Sequence, residues 1–225
     1  LRARVALYSG EKSLAKDLAE SLIADARYGL DSYEKIFRGA TNKEVIFAFS
    51  CLTIESKIAI STLFYSYNHP NSGSYVYVPS KEVMTMFADT DKRKDISITT
   101  MDNLNFINKY PSGQKGTDPV IISRLGEMYL ISAEAQGLSN GLPRLNELRA
   151  FRGLPAIYPS TEAAFIDAVL DERRHELLCE GHRWYDLVRL GKAVEELGIL
   201  DYMTLMPIPE SERQTNRNLT QNKGY

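Results

Sequence analysis

The 225-residue sequence lacks the features that mark several common classes of protein. It holds only two cysteines, Cys51 and Cys179, and no C-x-x-C pair, so neither a zinc ribbon nor a dithiol redox motif is indicated. Its net charge of −2 gives no electrostatic footprint for nucleic acid or for an anionic membrane surface. No apolar run approaches the roughly 18 residues of a membrane-spanning helix. Globular enzymes, binding modules and scaffolds are the classes that remain.

The two cysteines have no evident chemical role. Cys179 lies beside Leu177 and Leu178 in a predicted helix, where a cysteine commonly acts as a small apolar side chain. We therefore expect Cys179 to be buried. The sequence leaves open whether it forms a disulfide with Cys51.

The chain begins at Leu1, inside a predicted helix, and carries no signal peptide. We therefore expect one domain over residues 1–225 that forms the C-terminal part of a longer protein. Any export signal or lipid anchor would lie in the missing N-terminal part.

Two segments are predicted to form helical hairpins, over about residues 2–28 and 119–153. In the first, apolar residues recur every three or four positions over residues 14–26, after a stop at Gly10. In the second, a Gly-Leu-Ser-Asn-Gly turn joins two apolar helices. The small-residue spacing of the first hairpin is similar to that of a tetratricopeptide unit, which predicts part of a helical-repeat scaffold.

The pattern changes between and after the hairpins. Residues 45–49 predict a strand, residues 80–88 a short helix and residues 102–116 a loop. Residues 162–191 predict a long helix, in which Gly181 introduces a bend or a break.

This last helix carries a dense motif of charged and aromatic residues. It reads E-R-R-x-E-L-x-x-E-G-x-R-W-x-D-L-x-R and resembles the most recognisable signature of the SusD-like (RagB/SusD) family. The matching residues are Glu172, Arg173, Arg174, Glu176, Leu177, Glu180, Gly181, Arg183, Trp184, Asp186, Leu187 and Arg189. Further matches follow the family's order within residues 42–47, 124–135, 145–155 and 207–225. Arg217 and Lys223 stand where the family commonly has proline, which changes local stiffness only.

The resemblance implies a mainly α fold of tetratricopeptide-like helical hairpins, an α-α superhelix with long irregular loops and little β-structure. It also implies a lipoprotein on the extracellular face of the bacterial outer membrane, attached only through a lipid anchor in the N-terminal part. Members capture glycans or related nutrients and deliver them to a SusC-like TonB-dependent transporter. They have no catalytic site, and neither a cofactor nor a metal is expected.

The charged residues of the motif also have a physical interpretation of their own. Residues three apart are neighbours on a helix, which predicts a structural ladder of ion pairs. The pairs are Arg173–Glu176, Glu180–Arg183, Arg183–Asp186 and Asp186–Arg189. A glycosidase pair of Glu176 and Glu180 is disfavoured, because both project from one helix and the adjacent arginines would keep both ionised. The predicted structural residues are Arg173, Glu176, Glu180, Gly181, Arg183, Trp184, Asp186 and Arg189.

Two groups of possible metal ligands have an interpretation without a metal, the aspartates as part of a solvated loop and the histidines as structural residues. Asp89, Asp91 and Asp95 have aspartate spacing that suits calcium, but the EF-hand glycine and glutamate are missing from positions six and twelve. His175 and His182 are seven residues apart, and no further zinc ligands accompany them.

Aromatic and amide side chains concentrate in a candidate ligand loop over about residues 60–79. An exposed tyrosine offers a flat apolar ring and a polar tip, which suit the C–H face and the hydroxyl rim of a sugar. The candidate carbohydrate-binding residues are Tyr65, Tyr67, His69, Asn71, Tyr75 and Tyr77. A half-buried strand, in which Tyr75 and Tyr77 alternate with valines, is the alternative for that pair.

The alternative function is a tetratricopeptide-type scaffold that binds only protein partners. It predicts a loop without ligand and a peptide groove on the concave helical face. A carbohydrate-active hydrolase would instead need opposed carboxylates in a cleft.

Overall fold

The computed structural model describes residues 1–39, 41–54 and 60–225. The described residues are mainly α-helical, with helical hairpins joined by long irregular connections. The helices are α1 (Arg2–Tyr8), α2 (Lys12–Ile23), α3 (Tyr33–Arg38), α4 (Lys81–Thr85), α5 (Lys94–Ser97), α6 (Leu125–Phe151), α7 (Glu162–Glu176), α8 (Arg183–Arg189), α9 (Ala193–Leu197) and α10 (Glu210–Thr215). This architecture confirms the predicted fold class.

The β-structure consists of two separate antiparallel pairs. The strands are β1 (Val45–Phe49), β2 (Ile98–Met101), β3 (Leu104–Ile107) and β4 (Val120–Arg124). β1 pairs with β4 and β2 pairs with β3, so the strand expected over residues 45–49 is present. Short 3-10 helices occur at Ile60–Leu63, Gly113–Lys115 and Asp201–Thr204.

The chain divides into two compact units, Leu1–Glu180 and Gly181–Tyr225. The first unit contains α1 to α7 and both strand pairs, and the second contains α8 to α10. The helix predicted over residues 162–191 is broken, as Gly181 indicated. Cys179 and Gly181 adopt left-handed φ angles of +58° and +83°, which are incompatible with a continuous helix.

Both cysteines are free thiols. Cys51 is buried and Cys179 is exposed, so the expectation that Cys179 is a buried apolar residue is wrong. The cause is the helix break, because Cys179 lies in the turn after α7 and not on a helix face.

α1 and α2 form the first predicted hairpin, and α2 packs on α6. The buried side chains of this hairpin are mostly alanines: Ala3 and Ala6 on α1, and Ala15 and Ala19 on α2. Side chains this small let the helix axes approach closely. The alanine spacing therefore explains the tetratricopeptide-like pattern in the sequence.

α6 consists of two helical segments that meet at Gly137, whose φ of +69° and ψ of −177° are not helical. The Glu162 carboxylate accepts the N–H of Leu138 at 2.9 Å, which satisfies a donor at the start of the second segment. The segments approach closely at Gly141, where an added Cβ would lie 2.0 Å from the carbonyl oxygen of Ala133. These segments form the second hairpin.

The second hairpin begins later than expected, because residues 120–124 form strand β4 and not the first turns of a helix. Val120 and Ile121 are β-branched, which favours extended backbone, and they pair with Phe49 and Ala48 of β1. The helix begins only at Leu125.

The loop expected over residues 102–116 instead includes strand β3 and a 3-10 helix. Asp102 and Asn103 adopt φ angles of +51° and +61° and connect β2 to β3 as a two-residue hairpin turn. Asp and Asn tolerate positive φ better than most residues, so the turn signal was present in the sequence.

A second apolar cluster lies beneath the candidate ligand loop. It brings together α3, the β2–β3 hairpin and residues of the loop. Its buried members are Tyr33, Ile36, Phe37, Phe64, Phe87, Ile98, Ile107 and Tyr110. The cluster gives the irregular segments of the first unit a fixed base.

Among the residues that the structure describes, none of the helices combines the length and the apolar character that a bilayer crossing needs.

We predict that Gly141→Ala destabilises the protein by about 1–3 kcal/mol, because the new Cβ forces the two segments of α6 apart. Urea unfolding followed by circular dichroism measures the change. Gly29→Ala is the matched control, since nothing lies within 4 Å of its added Cβ. A Gly141→Ala protein as stable as the control would contradict the close approach.

Candidate functional site

The candidate ligand loop folds back onto the residues where it begins. The N–H of Ser74 donates to the carbonyl of Thr62 at 2.7 Å, and the N–H of Tyr75 donates to that of Tyr65 at 3.0 Å. An added Cβ at Gly73 would lie 2.3 Å from the Tyr65 carbonyl oxygen. Only glycine therefore permits this approach, which closes the loop into a defined shape.

The strand proposed as an alternative for Tyr75 and Tyr77 is wrong. Residues 75–78 belong to neither strand pair, and Tyr75 has a φ of +49°. The Tyr75 hydroxyl donates to the carbonyl of Asn105 at 2.8 Å, and its ring lies 5.3 Å from that of Phe106. Tyr75 therefore ties the loop to strand β3.

Tyr65 does not fit a ligand-contact role. Its side chain is 0% exposed, and its hydroxyl donates to Oδ1 of Asn108 at 2.9 Å. A buried ring cannot stack on a sugar, so this candidate is corrected to a core residue. His69 packs against it at 4.3 Å between ring centres.

Tyr67 and Tyr77 are the exposed aromatic residues of the loop, at 82% and 58%. Tyr77 lies 6.2 Å from the buried ring of Phe64, while no ring contact holds Tyr67 among the described residues. Both present surface that a ligand can reach.

Asn71 lies at the wall of a cavity of about 870 Å³. Three stretches of chain form this cavity: the end of α3, the tip of the candidate loop and the segment after β3. The lining residues are Phe37, Arg38, Gly39, Pro70, Asn71, Ser72, Asn108, Pro111, Ser112, Gly113, Gln114, Lys115, Thr117, Asp118 and Pro119. Most of the lining is amide, hydroxyl and proline, and of the six candidate residues only Asn71 belongs to it.

Hydrogen bonds hold the loop tip against the segment after β3. The N–H of Gly113 donates to Ser61 Oγ at 2.8 Å, and Gln114 Nε2 donates to the carbonyl of Ser72 at 2.9 Å. His69 Nδ1 accepts the N–H of Asn71 at 3.0 Å. Burial lowers the pKa of His69, which keeps this nitrogen available as an acceptor.

Three ionisable residues belong to the lining: Arg38, Lys115 and Asp118. Arg38 Nη2 donates to the carbonyl of Asn108 at 2.5 Å. Asp118 accepts the N–H of Ser112 at 3.1 Å and its hydroxyl at 2.5 Å. Burial raises the pKa of Asp118, and the bonds from Ser112 oppose this. The sequence analysis named none of the three as a candidate, because they lie in separate stretches of chain that carry no common motif.

Three glutamates of the family-like motif, Glu172, Glu176 and Glu180, belong to a buried ion-pair network that joins several elements of the first unit. Glu176 accepts from Arg152 at 2.7 Å and from Arg93 at 2.8 Å, and also from Arg124. Glu180 accepts from Lys109 and Arg124, each at 2.9 Å. The ion-pair network comprises Glu44, Asp91, Arg93, Lys109, Arg124, Arg149, Arg152, Glu172, Glu176 and Glu180.

The expected pair of Asp186 and Arg189 lies in the second unit, with 2.8 Å between the charged groups. Arg183 pairs with Glu196 at 3.0 Å. The motif therefore contributes structural ion pairs, both between distant residues and of the predicted local kind.

The network fixes the ionisation of its carboxylates. Burial by itself would raise the pKa of Glu176, but Arg152, Arg124 and Arg93 outweigh it and hold the pKa well below the ordinary value. At Glu180, burial would also raise the pKa, but Arg124 and Lys109 outweigh this effect and lower the pKa to about 2. Neither carboxyl can hold a proton near neutral pH, which a general acid requires.

The possible metal ligands have other partners. Both carboxylate oxygens of Asp91 accept from Arg93, and Asp89 pairs with Lys94 at 2.6 Å. The ring nitrogens of His175 each lie 2.9 Å from a backbone carbonyl oxygen. No cluster of three or more metal-ligating side chains occurs within residues 1–39, 41–54 and 60–225.

Comparisons with known proteins agree with this architecture. Residues 104–204 match the model of the SusD family. SusD-like protein P38 of Formosa agariphila is 33% identical over 123 residues, which are 47% of this chain and 24% of that protein. Residues 104–204 thus carry the sequence pattern of the SusD family. The resemblance inferred from the motif is therefore confirmed.

Two further proteins extend the comparison. The starch-binding protein SusD of Bacteroides thetaiotaomicron is 32% identical over 118 residues, or 45% of this chain and 21% of that protein. The chain thus spans about a quarter of the length of these two curated relatives. Surface glycan-binding protein A from the same bacterium, solved in complex with laminarihexaose, has a TM-score of 0.81 at 21% identity. That alignment covers 98% of this chain and 62% of the other, and it establishes a shared fold.

We predict that Glu176→Gln destabilises the protein by about 3–5 kcal/mol, because it leaves buried arginines without their counter-charge. Urea unfolding at neutral pH measures the loss. Glu34→Gln removes an exposed carboxylate from the first turn of α3 and should cost under about 1 kcal/mol. Equal costs for the two variants would show that the network does not hold the fold together.

We also predict that Glu180 makes the stability of the protein fall at acidic pH. Its folded pKa of about 2 lies below the ordinary 4.5, so the unfolded chain binds more protons and stability falls as pH falls. Its contribution is complete above about pH 4.5 and is lost as the pH approaches 2. Unfolding free energies of wild type and Glu180→Gln, compared from pH 6 down to about 2.5, should therefore converge with acid. A constant gap over that range would contradict the assignment.

Proposed function

We propose that the chain captures glycans, and that the cavity beside the candidate ligand loop forms part of the binding site. The observation that carries this proposal is the 870 Å³ cavity that has Asn71 in its wall and a lining rich in amides and hydroxyls. Sites for small polar ligands combine such orienting groups with apolar surface.

The lining suits both the hydroxyl groups and the apolar C–H faces of a sugar. Asn71, Asn108 and Gln114 can donate to and accept from hydroxyl groups. Proline rings and Phe37 offer apolar surface to the C–H faces of a sugar ring. The cavity therefore matches a neutral or weakly charged carbohydrate better than a hydrophobic ligand.

The candidate residues take different roles in this proposal. Tyr67 and Tyr77 are exposed and serve as stacking surfaces near the loop tip, and Asn71 contacts ligand inside the cavity. His69 and Tyr75 position the loop through their bonds to Asn71 and Asn105. Tyr65 supports the loop from the core.

The match to the SusD family supports the wider proposal. We infer a cell-surface protein of the outer membrane, held by a lipid anchor, that delivers its ligand to a SusC-like TonB-dependent transporter. The relatives bear the names of binding proteins, and Glu176 and Glu180 are buried in ion pairs, which supports a binding function over hydrolysis.

Glycan capture predicts that Tyr67→Ala weakens binding about three- to tenfold, because an exposed aromatic stacking surface is lost. Calorimetric titration of the chain with a panel of plant, host and microbial glycans measures the effect. Tyr158→Ala is the matched control, since Tyr158 is also 82% exposed in the first unit. Asn71→Ala tests the cavity itself and should weaken the same ligand.

The outcomes separate the two candidate functions. Saturable binding that Tyr158→Ala leaves unchanged supports glycan capture at this site. Binding that neither Tyr67→Ala nor Asn71→Ala affects would place the site elsewhere. Failure of every glycan to bind would favour the scaffold that binds only protein partners.

A further inference from the structure

Arg38 is partnered differently from the arginines of the ion-pair network. Those arginines donate to carboxylates, whereas Arg38 Nη2 donates only to the backbone carbonyls of Asn108 at 2.5 Å and Ile96 at 3.4 Å. Its Nη1 is buried and makes no hydrogen bond within the described part of the chain. No carboxylate of the described residues pairs with this half-buried guanidinium.

The cavity contains more positive than negative charge. Arg38 lines it from the end of α3, and Lys115 lines it from the 3-10 helix Gly113–Lys115, exposed and without an ion pair among the described residues. Asp118 is the single carboxylate in the lining, and both its oxygens already accept from Ser112. The lining therefore carries a net positive charge, although Asp118 lies close enough to Arg38 for the two charges to interact.

A net positive charge at the wall of a cavity favours a ligand of opposite charge, because the field of the cationic groups attracts the counter-ion. A guanidinium also matches the geometry of a carboxylate or a sulfate, which can accept two of its N–H groups. A neutral sugar satisfies hydrogen bonds in such a site and leaves the charge unpaired.

We propose that the cavity selects glycans that carry an anionic group, a carboxylate or a sulfate, with Arg38 as the main charge contact and Lys115 as a second one. This inference rests on the proposed function, because it assigns a ligand class to the same site. A carboxylate and a sulfate can both accept hydrogen bonds from these cations, so the experiment tests the two anions separately.

The experiment titrates the chain with two matched pairs of oligosaccharides at low ionic strength. One pair is oligogalacturonate and its methyl ester, and the other is a sulfated carrageenan oligosaccharide and its desulfated form. The charged member of at least one pair should bind about tenfold more tightly than its neutral partner. Added salt should reduce that preference, because ionic strength screens the attraction.

Three variants test which residues cause the preference for the charged oligosaccharide. Arg38→Gln should abolish the preference, so that the charged and neutral partners bind with equal affinity, and Lys115→Gln should reduce it about threefold. Arg2→Gln removes the same charge from an exposed position in the first unit and should change nothing. Because Arg38 also donates to backbone carbonyls, its variant is compared with wild type by thermal unfolding. If Arg38→Gln unfolds, the exposed Lys115 variant decides.

Equal affinity for charged and neutral partners, or a preference that survives both cavity variants, would overturn the inference while glycan capture stands. Binding of neutral glycans alone would overturn it in the same way. If no glycan binds at all, the proposed function fails together with it. A preference seen only with the uronate pair or only with the sulfate pair supports the inference and identifies the anion.

Discussion

The arrangement of the first unit depends on one buried carboxylate, that of Glu176. It accepts hydrogen bonds from three arginines that come from different parts of the chain: Arg93 before α5, Arg124 at the end of β4 and Arg152 after α6. Each of these arginines is buried, and an unpaired buried charge is costly. The arginines and the carboxylate therefore stabilise one another. The helical hairpins and the irregular segments are thereby joined at a single charged centre.

The geometry around Glu176 also restricts its apolar neighbours. An added Cβ at Gly126 would lie 2.5 Å from Glu176 Oε1 and 2.9 Å from Glu44 Oε1, so the second residue of α6 has no room for a side chain. Tyr33 donates its hydroxyl to the backbone carbonyl of Glu176 at 2.6 Å. Buried charges with so many specified partners favour one packing arrangement over alternatives with a similar apolar core.

Local patterns in the sequence predicted the local parts of this structure. The alanine spacing of α1 and α2 and the break at Gly181 depend on neighbours within a few residues, and both were inferred. The arginines that donate to Glu176 lie 24 to 83 residues away, so the three-residue spacing could not indicate them, whereas it did indicate the pair Asp186–Arg189. The cavity is formed by three stretches that are also distant in the sequence. Local patterns therefore gave no signal for its residues Arg38 and Asp118. The aromatic and amide content of residues 60–79 indicated a candidate ligand loop, but composition alone could not distinguish buried Tyr65 from exposed Tyr67.

The ion-pair network and the cavity are physically continuous. α3 is held at its first residue, Tyr33, by the bond to Glu176, and its last residue, Arg38, lines the cavity. Lys109 donates to Glu180 at 2.9 Å and to the carbonyl of Leu178 at 2.7 Å, and it directly follows Asn108 at the start of the opposite wall. Both walls of the cavity thus begin at residues that the network fixes. In the proposed function, the family motif therefore contributes no contact to ligand, but its ion pairs fix where the cavity residues lie.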